Sequence, residues 1–474
     1  GESALLLAPT GSGKTLAAFL ASIDRLVFSD LGEQAKPGVK VLYISPLKAL
    51  GVDVDRNLRA PLAGISAVAA REGVAHREVQ VGIRSGDTGS RERARMLRHP
   101  PDVLITTPES LYLMLTSRAR EILDGVQTVI IDEIHTMVSS KRGAHLFLSL
   151  ERLERLVSGS GASKPIQRIG LSATQRPLDE VARLLGGFDL DAQQSRPTQR
   201  AVNIVDASEK RPFELAICMP LGDQVDKAAD EFNVVGNAAT SPVPASIWPA
   251  IYPRLVSLIR DHRSTMVFVN SRRLAERLAA AINDTAEEDL ARAHHGSMSK
   301  DTRADVEDRL KRGELRALVA TSSMELGIDM GAVDLVIQVE APPSIASGLQ
   351  RIGRAGHSVG EISKGIVFPK YRGDLLSAAA ASREMFSGHV EASAYPRNPL
   401  DVLAQQIVAM VAMEEWAVDD LYLAVRGAAP FAELPRASFE EVLNLLSGRY
   451  PSDDFSGLKA RITWDRINQT LTPR

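Results

Sequence analysis

A glycine-rich stretch near the start of the chain constrains its fold more than any other feature of the sequence. The apolar run Ala4–Leu7 leads into Ala8-Pro9-Thr10-Gly11-Ser12-Gly13-Lys14-Thr15, and a helical pattern over Leu16–Leu26 follows. A strand, a glycine-rich loop and a helix start in this order are typical of a phosphate-binding loop, in which backbone N–H groups surround an anion. A glycine-rich turn with an exposed lysine is the alternative, but it requires neither the strand nor the helix. The stretch therefore predicts a nucleotide-binding α/β domain, although Ala8 stands where the strict pattern has glycine.

The residues of this loop divide between two ligands. We expect the phosphates of ATP to be bound by Lys14 and by backbone amides of Thr10, Gly11, Ser12 and Gly13. We expect the hydroxyl of Thr15 to bind Mg²⁺, which accompanies ATP in such sites.

A second motif carries two adjacent acids at the end of an apolar strand. The run Val129–Ile131 precedes Asp132-Glu133-Ile134-His135. Asp132 can hold Mg²⁺ and Glu133 can polarise the attacking water. An apolar run that ends in two acids also fits a solvated strand end, but its place downstream of a phosphate-binding loop favours the catalytic interpretation. His135 either packs or caps locally, or it links this site to a second lobe.

Two arginines lie one helical turn apart in the motif Gln350-Arg351-Ile352-Gly353-Arg354-Ala355-Gly356-His357. Their guanidinium groups suit a γ-phosphate whose charge redistributes during transfer. Two arginines on a helix usually form a solvated face, but these lie among glycines after the strand exit Val339–Pro343. We therefore predict that Gln350, Arg351 and Arg354 take part in catalysis from a second lobe. ATP would close the cleft between the lobes and hydrolysis would release it.

Short β-branched runs alternate with helical patterns along most of the chain, which predicts parallel sheets covered by helices. In the first part these runs are Val39–Ser45, Val79–Gly82, Val103–Thr106, Thr128–Asp132 and Ile169–Ser172. A proline-rich segment with some strand at Ala201–Val205 follows. The alternation then restarts with Thr265–Asn270, Leu318–Thr321, Leu335–Val339 and Gly365–Phe368. We predict a first lobe over 1–195, a connection over 196–245 and a second lobe over 246–395.

The last part of the chain, 396–474, turns helical. Leu400–Met413, Val418–Arg426 and Ser438–Ser447 have helical patterns, and the third begins with a serine N-cap. Arg461–Trp464 is a candidate strand. The pattern fits the start of a winged-helix domain and a generic helical bundle equally well.

Composition excludes several classes of protein. The 474 residues carry a net charge of −3 and only 5% aromatic residues, which argues against coating of nucleic acid by bulk charge or by base stacking. Cys218 is the only cysteine, so an internal disulfide framework and a multi-cysteine metal site are excluded. No apolar run is long enough to span a membrane. We expect a cytoplasmic protein with neither a membrane nor a disulfide-linked partner.

Two further motifs make the pattern specific to a family. Ser172-Ala173-Thr174 resembles the linking motif of superfamily 2 helicases, and Thr321-Ser322-Ser323-Met324-Glu325-Leu326-Gly327-Ile328-Asp329-Met330-Gly331 resembles their motif V. Together with Asp-Glu-Ile-His and the arginine motif, these residues resemble the Lhr (large helicase-related) family of DEAD/DEAH-like ATP-dependent helicases. DEAD-box proteins instead carry Asp-Glu-Ala-Asp. The resemblance runs in the family's order over nearly the whole chain.

The resemblance implies two tandem RecA-like lobes followed by a partial winged-helix domain. It also implies that Gly327 and Asp329 contact the nucleotide, and that Ser172, Thr174 and His135 couple the nucleotide site to the nucleic-acid path. The nucleic-acid contacts implied by the family are Pro46, Lys48, Arg84, Ser85, Thr106, Thr107, Pro108, Asn270, Ser271, Arg272, His295, Gly296, Thr321 and Ser322. Hydroxyls, turn amides and a few cations suit phosphate binding without base readout.

The basic stretch Arg91–Arg98 lies beside one of these groups. A solvated helix face is its simpler interpretation, and a phosphate-binding face is the alternative.

The resemblance implies an ATP-dependent helicase with 3′-to-5′ polarity that acts on single-stranded DNA and on DNA or RNA:DNA duplexes in DNA repair. Two alternatives remain at this stage: an RNA helicase of the Ski or DEAD-box type, and a nucleotide-gated clamp without turnover. The sequence begins at the strand before the phosphate-binding loop, so we expect the adenine-recognition residues to lie outside it. Lhr-type proteins also carry a further C-terminal domain, and efficient unwinding is expected to need it.

Overall fold

The chain folds into two compact units. One consists of Gly1–Ser208 together with Ala392–Arg474, and the other of Glu209–Glu391. The computed structural model describes residues 2–9, 12–29, 37–161, 164–173, 175–190, 197–207, 212–219, 247–325, 333–356, 362–450 and 459–474. Among these residues, no helix combines the length and the apolar character needed to cross a bilayer.

A parallel sheet forms the centre of the first lobe. The strands of this lobe are β1 (Ala4–Leu7), β2 (Val41–Ile44), β3 (Val81–Arg84), β4 (Val103–Thr106), β5 (Thr128–Ile131), β6 (Gln167–Ser172), β7 (Phe188–Asp189), β8 (Thr198–Gln199) and β9 (Asn203–Asp206). Seven of them pair in parallel in the order β3-β4-β2-β5-β6-β1-β9, and β7 with β8 forms a short antiparallel ribbon. The carboxyl ends of the seven strands therefore lie at one edge.

Helices cover both faces of this sheet. They are α1 (Lys14–Asp24), α2 (Lys48–Arg71), α3 (Ser90–Arg98), α4 (Pro108–Leu115), α5 (His135–Val138), α6 (Lys141–Gly159) and α7 (Leu178–Gly186). Leu42 and Ile44 belong to the buried cluster with α4 to α7, whereas Val41 and Tyr43 belong to the cluster with α1 and α2. Because successive side chains of a strand point to opposite faces, burial on both faces explains the continuous apolar runs.

Polar caps determine where several of these helices begin. The Thr107 hydroxyl accepts from the Ser110 N–H at the start of α4, whose first residue is proline. The Ser140 hydroxyl accepts from the Gly143 N–H at the start of α6. Each cap satisfies an N–H group that has no partner within its helix.

The second unit is built on the same plan. Its strands are β10 (Phe213–Ile217), β11 (Thr265–Phe268), β12 (Ala291–His294), β13 (Ala317–Ala320), β14 (Leu335–Val339) and β15 (Ser363–Phe368). They form a parallel sheet in the order β10-β15-β14-β11-β13-β12. Its helices are α8 (Trp248–Asp261), α9 (Arg272–Ala286), α10 (Lys300–Lys311), α11 (Ile345–Ile352) and α12 (Arg372–Ser387). The prediction of two parallel-sheet lobes is confirmed.

The end of the chain forms a winged-helix domain, which decides between the two interpretations of its helical pattern. Its helices are α13 (Leu400–Val411), α14 (Val418–Arg426) and α15 (Arg436–Leu446), and its strands are β16 (Trp416–Ala417), β17 (Ile462–Asp465) and β18 (Thr470–Pro473). The strands pair in an antiparallel sheet. The wing therefore contains β18 in addition to β17, which corresponds to the strand predicted at Arg461–Trp464. The third helix begins at Arg436, with Pro435 in the cap position in place of the expected serine.

This domain packs directly on the first lobe, within the same unit. Leu148 of α6 belongs to the core of the winged-helix domain. The Phe188 N–H donates to the Gly427 carbonyl at 2.8 Å. The approach is close because both sides have glycine: a Cβ on Gly187 would lie 2.6 Å from that carbonyl oxygen. Two separated parts of the chain thus share one packed body.

The segment predicted as a connection contributes to both sheets. Its suggested strand appears as β9, which extends the first sheet beside β1, and β10 lies at the edge of the second sheet. Residues 196, 208–211 and 220–245 of the segment lie outside the described part of the chain.

Candidate nucleotide site and nucleic-acid interface

The carboxyl edge of the first sheet gathers the motifs of this lobe. The phosphate-binding loop follows β1, Arg84 ends β3, Thr106 ends β4, Asp132 follows β5 and Ser172 ends β6. Open parallel sheets bind their ligands at this edge, because loops and helix N-termini converge there. The residues that the sequence predicts to be functional are therefore brought together by the strand order.

The described end of the phosphate-binding loop has a backbone that suits an anion site. Gly13 has φ 84°, the left-handed region that favours glycine, and α1 begins at the next residue. The Lys14 amine lies 3.5 Å from the Ala8 carbonyl oxygen. Ser12 is exposed at the start of α1. Two other predicted phosphate ligands, Thr10 and Gly11, lie outside the described residues.

Both acids of the second motif are buried beside the lysine. Asp132 is 3% and Glu133 is 4% exposed, and Lys14 Nζ lies 3.9 Å from Glu133 Oε1. The Asp132 N–H donates to the Ile44 carbonyl at 2.9 Å, which fixes the strand end against β2. Asp132 Oδ1 accepts from the Glu133 N–H at 2.9 Å. The lysine and the two carboxylates thus form one compact charged group.

The charges in this group fit a divalent cation. Burial raises the pKa of Asp132 to about 7, and the adjacent Glu133 charge adds to that rise, whereas Tyr43 and Lys14 oppose it. Glu133 Oε2 is buried without a hydrogen bond in the described part of the chain. Two carboxylates facing one lysine leave room for further positive charge.

The available donors are oxygens, which Mg²⁺ prefers. Asp132 offers a carboxylate and Thr15, in the first turn of α1, offers a hydroxyl. Within the described residues, no group of three or more acids, histidines or cysteines could hold a metal. Mg²⁺ usually completes its shell with water and substrate phosphates, so one carboxylate and one hydroxyl can serve as its protein ligands.

His135 connects the acidic motif with the linking motif. Its Nδ1 lies 3.3 Å from the Ser172 hydroxyl, and 3.4 Å from Glu133 Oε2 without hydrogen-bond geometry. The structure thus brings two of the predicted coupling residues into contact, and their coupling role stays a prediction. Thr174, the other predicted coupling residue, lies outside the described residues.

In the second unit, both predicted catalytic arginines are buried and engaged. Arg351 donates to Glu325 Oε1 at 2.7 Å, to Gln338 at 2.7 Å and to Asn270 at 3.0 Å. Arg354 donates to the Glu325 carbonyl oxygen at 2.6 Å. Gln350 is half-buried on α11, the helix that also carries Arg351. The structure thus ties Arg351 to three side chains of its own lobe, and a role at the γ-phosphate stays a prediction. Gly327 and Asp329, the predicted nucleotide contacts, lie outside the described residues.

The predicted nucleic-acid contacts of the first lobe lie together at the carboxyl edge, where several also serve the fold. Thr107 and Pro108 start α4, and the Thr106 hydroxyl donates to the Arg84 carbonyl at 2.7 Å. The Ser85 hydroxyl accepts a turn N–H, and the Pro46 carbonyl accepts from Arg142. Lys48 pairs with Asp87 at 2.6 Å and is 46% exposed. Lys48 and Arg84 therefore supply the cations of this predicted set.

A further arginine, Arg93, joins this edge. It donates to the carbonyl oxygens of Ser85 and Gly86 from the first turns of α3. Arg84 Nη1 and Arg93 Nε are buried without hydrogen-bond partners among the described residues. Burial, followed by the charge of Arg93, lowers the pKa of Arg84. Two like charges with unused donors would suit an anion, and a phosphate-binding role for one residue of the basic stretch 91–98 stays a prediction.

The corresponding contacts of the second unit follow β11, β12 and β13. Ser271 caps α9, while Arg272 donates to Ser297. His295 pairs with Glu276 at 2.8 Å. The remaining predicted contacts lie at the same carboxyl edge and are Asn270, Gly296, Thr321 and Ser322.

Three family models match the chain in succession. Residues 1–181 match the DEAD/DEAH box helicase family, residues 250–358 the helicase conserved C-terminal domain, and residues 383–474 the winged-helix domain of the large helicase-related protein.

Curated relatives with high identity carry related names. The chain is 51% identical to the "Lhr helicase/ probable uracil glycosylase" of Mycolicibacterium smegmatis, over all of this chain and 32% of that protein. It is 41% identical to the "ATP-dependent helicase Lhr-Core" of Methanothermobacter thermautotrophicus, over 95% of this chain and 50% of that protein. The chain thus spans about a third to a half of the length of the relatives it matches.

Solved structures support the same relationship. The Mycobacterium smegmatis helicase Lhr bound to ssDNA and AMP-PNP superimposes with a TM-score of 0.85 at 52% identity, over all of this chain and 57% of that one. The helicase MrfA bound to DNA and AMPPNP has a TM-score of 0.70 at 19% identity, which shows a shared fold. It too matches over all of this chain and 57% of its own length.

Proposed function

Because the chain belongs to the Lhr (large helicase-related) family of superfamily 2 ATP-dependent helicases, we propose that it is the motor of a 3′-to-5′ translocase that unwinds DNA or RNA:DNA duplexes in DNA repair. The observation that carries the proposal is the compact group of Lys14, Asp132 and Glu133 at the sheet edge. Nucleotide hydrolysis needs a phosphate ligand, a cation ligand and a base, and this group supplies all three. The single cysteine agrees with a cytoplasmic location.

In this proposal the first lobe performs the nucleotide chemistry. Lys14 and the loop amides bind the phosphates, and Thr15 with Asp132 would hold Mg²⁺, which neutralises phosphate charge when bound. Glu133 orients the attacking water and accepts its proton, a role for which its buried Oε2, which makes no hydrogen bond among the described residues, is suited. His135 and Ser172 then connect this event to the nucleic-acid edge.

The two arginines are proposed to divide their roles. Arg351 is held by Glu325, Gln338 and Asn270, and so it stabilises the loop on which Arg354 lies. Arg354, which is also buried and donates to the Glu325 carbonyl oxygen, is proposed to stabilise the transferred phosphoryl group directly.

Nucleic-acid binding is proposed to occur through phosphates. Lys48, Arg84 and Arg93 contribute the cations at the edge of the first lobe. Hydroxyls and turn amides dominate the other predicted contacts, which suits a motor that moves over any base sequence. The ssDNA in the solved Lhr complex is a ligand of the kind proposed.

Two assays on the full-length protein test the proposal. The first compares stimulation of ATP hydrolysis by single-stranded DNA and by RNA, and DNA is expected to stimulate. The second measures displacement from DNA:DNA and RNA:DNA duplexes with 3′ or 5′ tails, and 3′ tails are expected to be required. An ATPase driven by RNA and insensitive to DNA would instead indicate an RNA helicase. A protein that releases no phosphate, and that binds DNA equally tightly in the presence of ATP and of a non-hydrolysable analogue, would instead be a clamp.

A further inference from the structure

A tyrosine beneath the nucleotide site has no role in the mechanism described so far. Tyr43 lies on β2 and is fully buried. Its ring stacks on Phe19 of α1, with ring centroids 5.3 Å apart and planes inclined by 15°. The tyrosine therefore contacts the helix that follows the phosphate-binding loop, and its strand pairs with β5, the strand that leads to Asp132.

The hydroxyl of Tyr43 donates a hydrogen bond to Asp132 Oδ2. The other oxygen, Oδ1, accepts from the Glu133 N–H. The carboxylate is therefore held from both sides and its rotation about the last bond of the side chain is restricted. Each oxygen keeps a further lone pair that can face a cation or a cation-bound water.

We propose that Tyr43 is a positioning residue for the divalent-cation site, which fixes the Asp132 carboxylate in the orientation that binds Mg²⁺ with the nucleotide phosphates. The inference rests on the proposed function, because it takes Asp132 as a cation ligand. Groups that orient a metal ligand commonly change metal affinity by about 10- to 100-fold when removed. Mg²⁺ tolerates little deviation from octahedral geometry, so a misdirected carboxylate is especially costly for this ion.

A buried tyrosine hydroxyl needs a partner in any protein, so simple satisfaction of the tyrosine is the competing explanation. The substitution Tyr43→Phe separates the two, because the ring keeps its packing on Phe19 and only the hydroxyl is removed. Tyr422→Phe is a matched control. It also removes one donated hydrogen bond, to the Leu434 carbonyl at 2.6 Å, but in the winged-helix domain.

The test measures binding of Mn²⁺ to the ADP complex of the full-length protein by electron paramagnetic resonance, and the Mg²⁺ dependence of ATP hydrolysis. For Tyr43→Phe we expect Mn²⁺ to bind about 10-fold more weakly or worse, and the Mg²⁺ concentration for half-maximal activity to rise similarly. The kcat at saturating Mg²⁺ should largely recover. Tyr422→Phe should leave all three quantities unchanged.

Unchanged Mn²⁺ affinity in a folded Tyr43→Phe protein would overturn the proposal, whatever happens to kcat. A second variant guards against a folding defect. In an Asp132→Asn background, Tyr43→Phe should add little to the loss of Mn²⁺ affinity, because the hydroxyl acts through that carboxylate. A fully additive loss in the double variant would also contradict the proposal. A wild-type protein that binds Mn²⁺ with ADP but does not hydrolyse ATP would count against the proposed function alone.

Discussion

Glu133 adopts a left-handed backbone conformation, with φ 45°, at the point where β5 ends. A non-glycine residue in this region costs on the order of 1–3 kcal/mol and persists only where its surroundings enforce it. Here the N–H of Glu133 is tied to Asp132 and its carbonyl oxygen accepts from the Thr136 hydroxyl at 2.9 Å. The turn directs the carboxylate toward Lys14 and away from bulk water, which is the placement that a general base requires.

We expect Glu133→Gln to lower the turnover of ATP by a factor of about 100 or more while ATP still binds. The amide preserves the size of the side chain and its backbone turn, but it cannot accept a proton from water. Single-turnover hydrolysis and equilibrium binding of a fluorescent ATP analogue measure the two effects separately. Wild-type turnover in this variant would show that another group acts as the base.

Arg93 is proposed to contact a nucleic-acid phosphate, which a substitution can test. Arg93→Ala should weaken binding of single-stranded DNA and reduce the salt dependence of log Kd by about one unit, because one phosphate contact is lost. Arg98→Ala is the control, since Arg98 lies on the same helix and bonds its own backbone at Ala94. Fluorescence anisotropy over a range of salt concentrations compares them. Equal effects of the two variants would mean that Arg93 contributes only to the overall charge of the surface and makes no specific phosphate contact.

The sequence could predict site residues that lie in a recognisable motif, but it could not predict those whose proposed role depends on packing. Lys14, Asp132 and Glu133 lie in short patterns whose chemistry is readable from spacing. Arg93 lies in a run of basic residues that differ only in which way they face, and that direction depends on how α3 packs. Tyr43 lies in an apolar strand, where nothing local distinguishes a core tyrosine from one that contacts a predicted metal ligand.

At the scale of elements, strands with continuous apolar runs were predictable and the more polar edge strands were less so. The bounds of β1, β4 and β14 agree with the predicted ones. β12 carries Arg292 and ends at His294, and it lies at the edge of its sheet. Its pattern therefore lacks the apolar continuity of a central strand. β18 is four residues long and is stabilised by pairing with β16 and β17 rather than by its own sequence.

The helix α6 gives a prediction at this scale, because two of its glycines have opposite surroundings. A Cβ on Gly143 would lie 1.9 Å from the Met137 carbonyl oxygen, so Gly143→Ala must push α5 away and should destabilise the protein by about 2–3 kcal/mol. Gly159 has nothing within 4 Å, and Gly159→Ala should stabilise by about 0.5–1 kcal/mol. Denaturant unfolding measures both, and a neutral Gly143→Ala would contradict the close approach.

At the scale of the molecule, the arrangement of the first unit brings the last part of the chain onto the first lobe. The contact includes a buried carboxylate, Glu151. Burial alone would raise the pKa of Glu151, but the charges of Arg168 and Arg200 together lower it. Both arginines lie within 3.0 Å of it. The winged-helix backbone at Gly427 lies close to the same carboxylate. Sequence alone could not predict this contact, because it joins residues more than 200 positions apart.

Gln406 contributes a second buried polar contact between the winged-helix domain and the first lobe, and its substitution tests how much stability this packing provides. It is fully buried on α13, accepts from the Arg152 guanidinium at 2.9 Å and donates to the His145 carbonyl and the Ser149 hydroxyl, both at 3.0 Å. Burial lowers the pKa of Arg152 to about 10, so this guanidinium is already poorly solvated. Gln406→Leu would leave it without its side-chain acceptor.

We expect Gln406→Leu to lower the free energy of unfolding by about 2–3 kcal/mol, because a buried charged donor loses its partner. The neighbouring Gln405 is exposed on the same helix, and Gln405→Leu should change stability by no more than about 0.5 kcal/mol. Thermal unfolding followed by circular dichroism compares the two variants. If Gln406→Leu were as stable as Gln405→Leu, the winged-helix domain would be held by its apolar contacts with α6, and the polar network would serve only to align it.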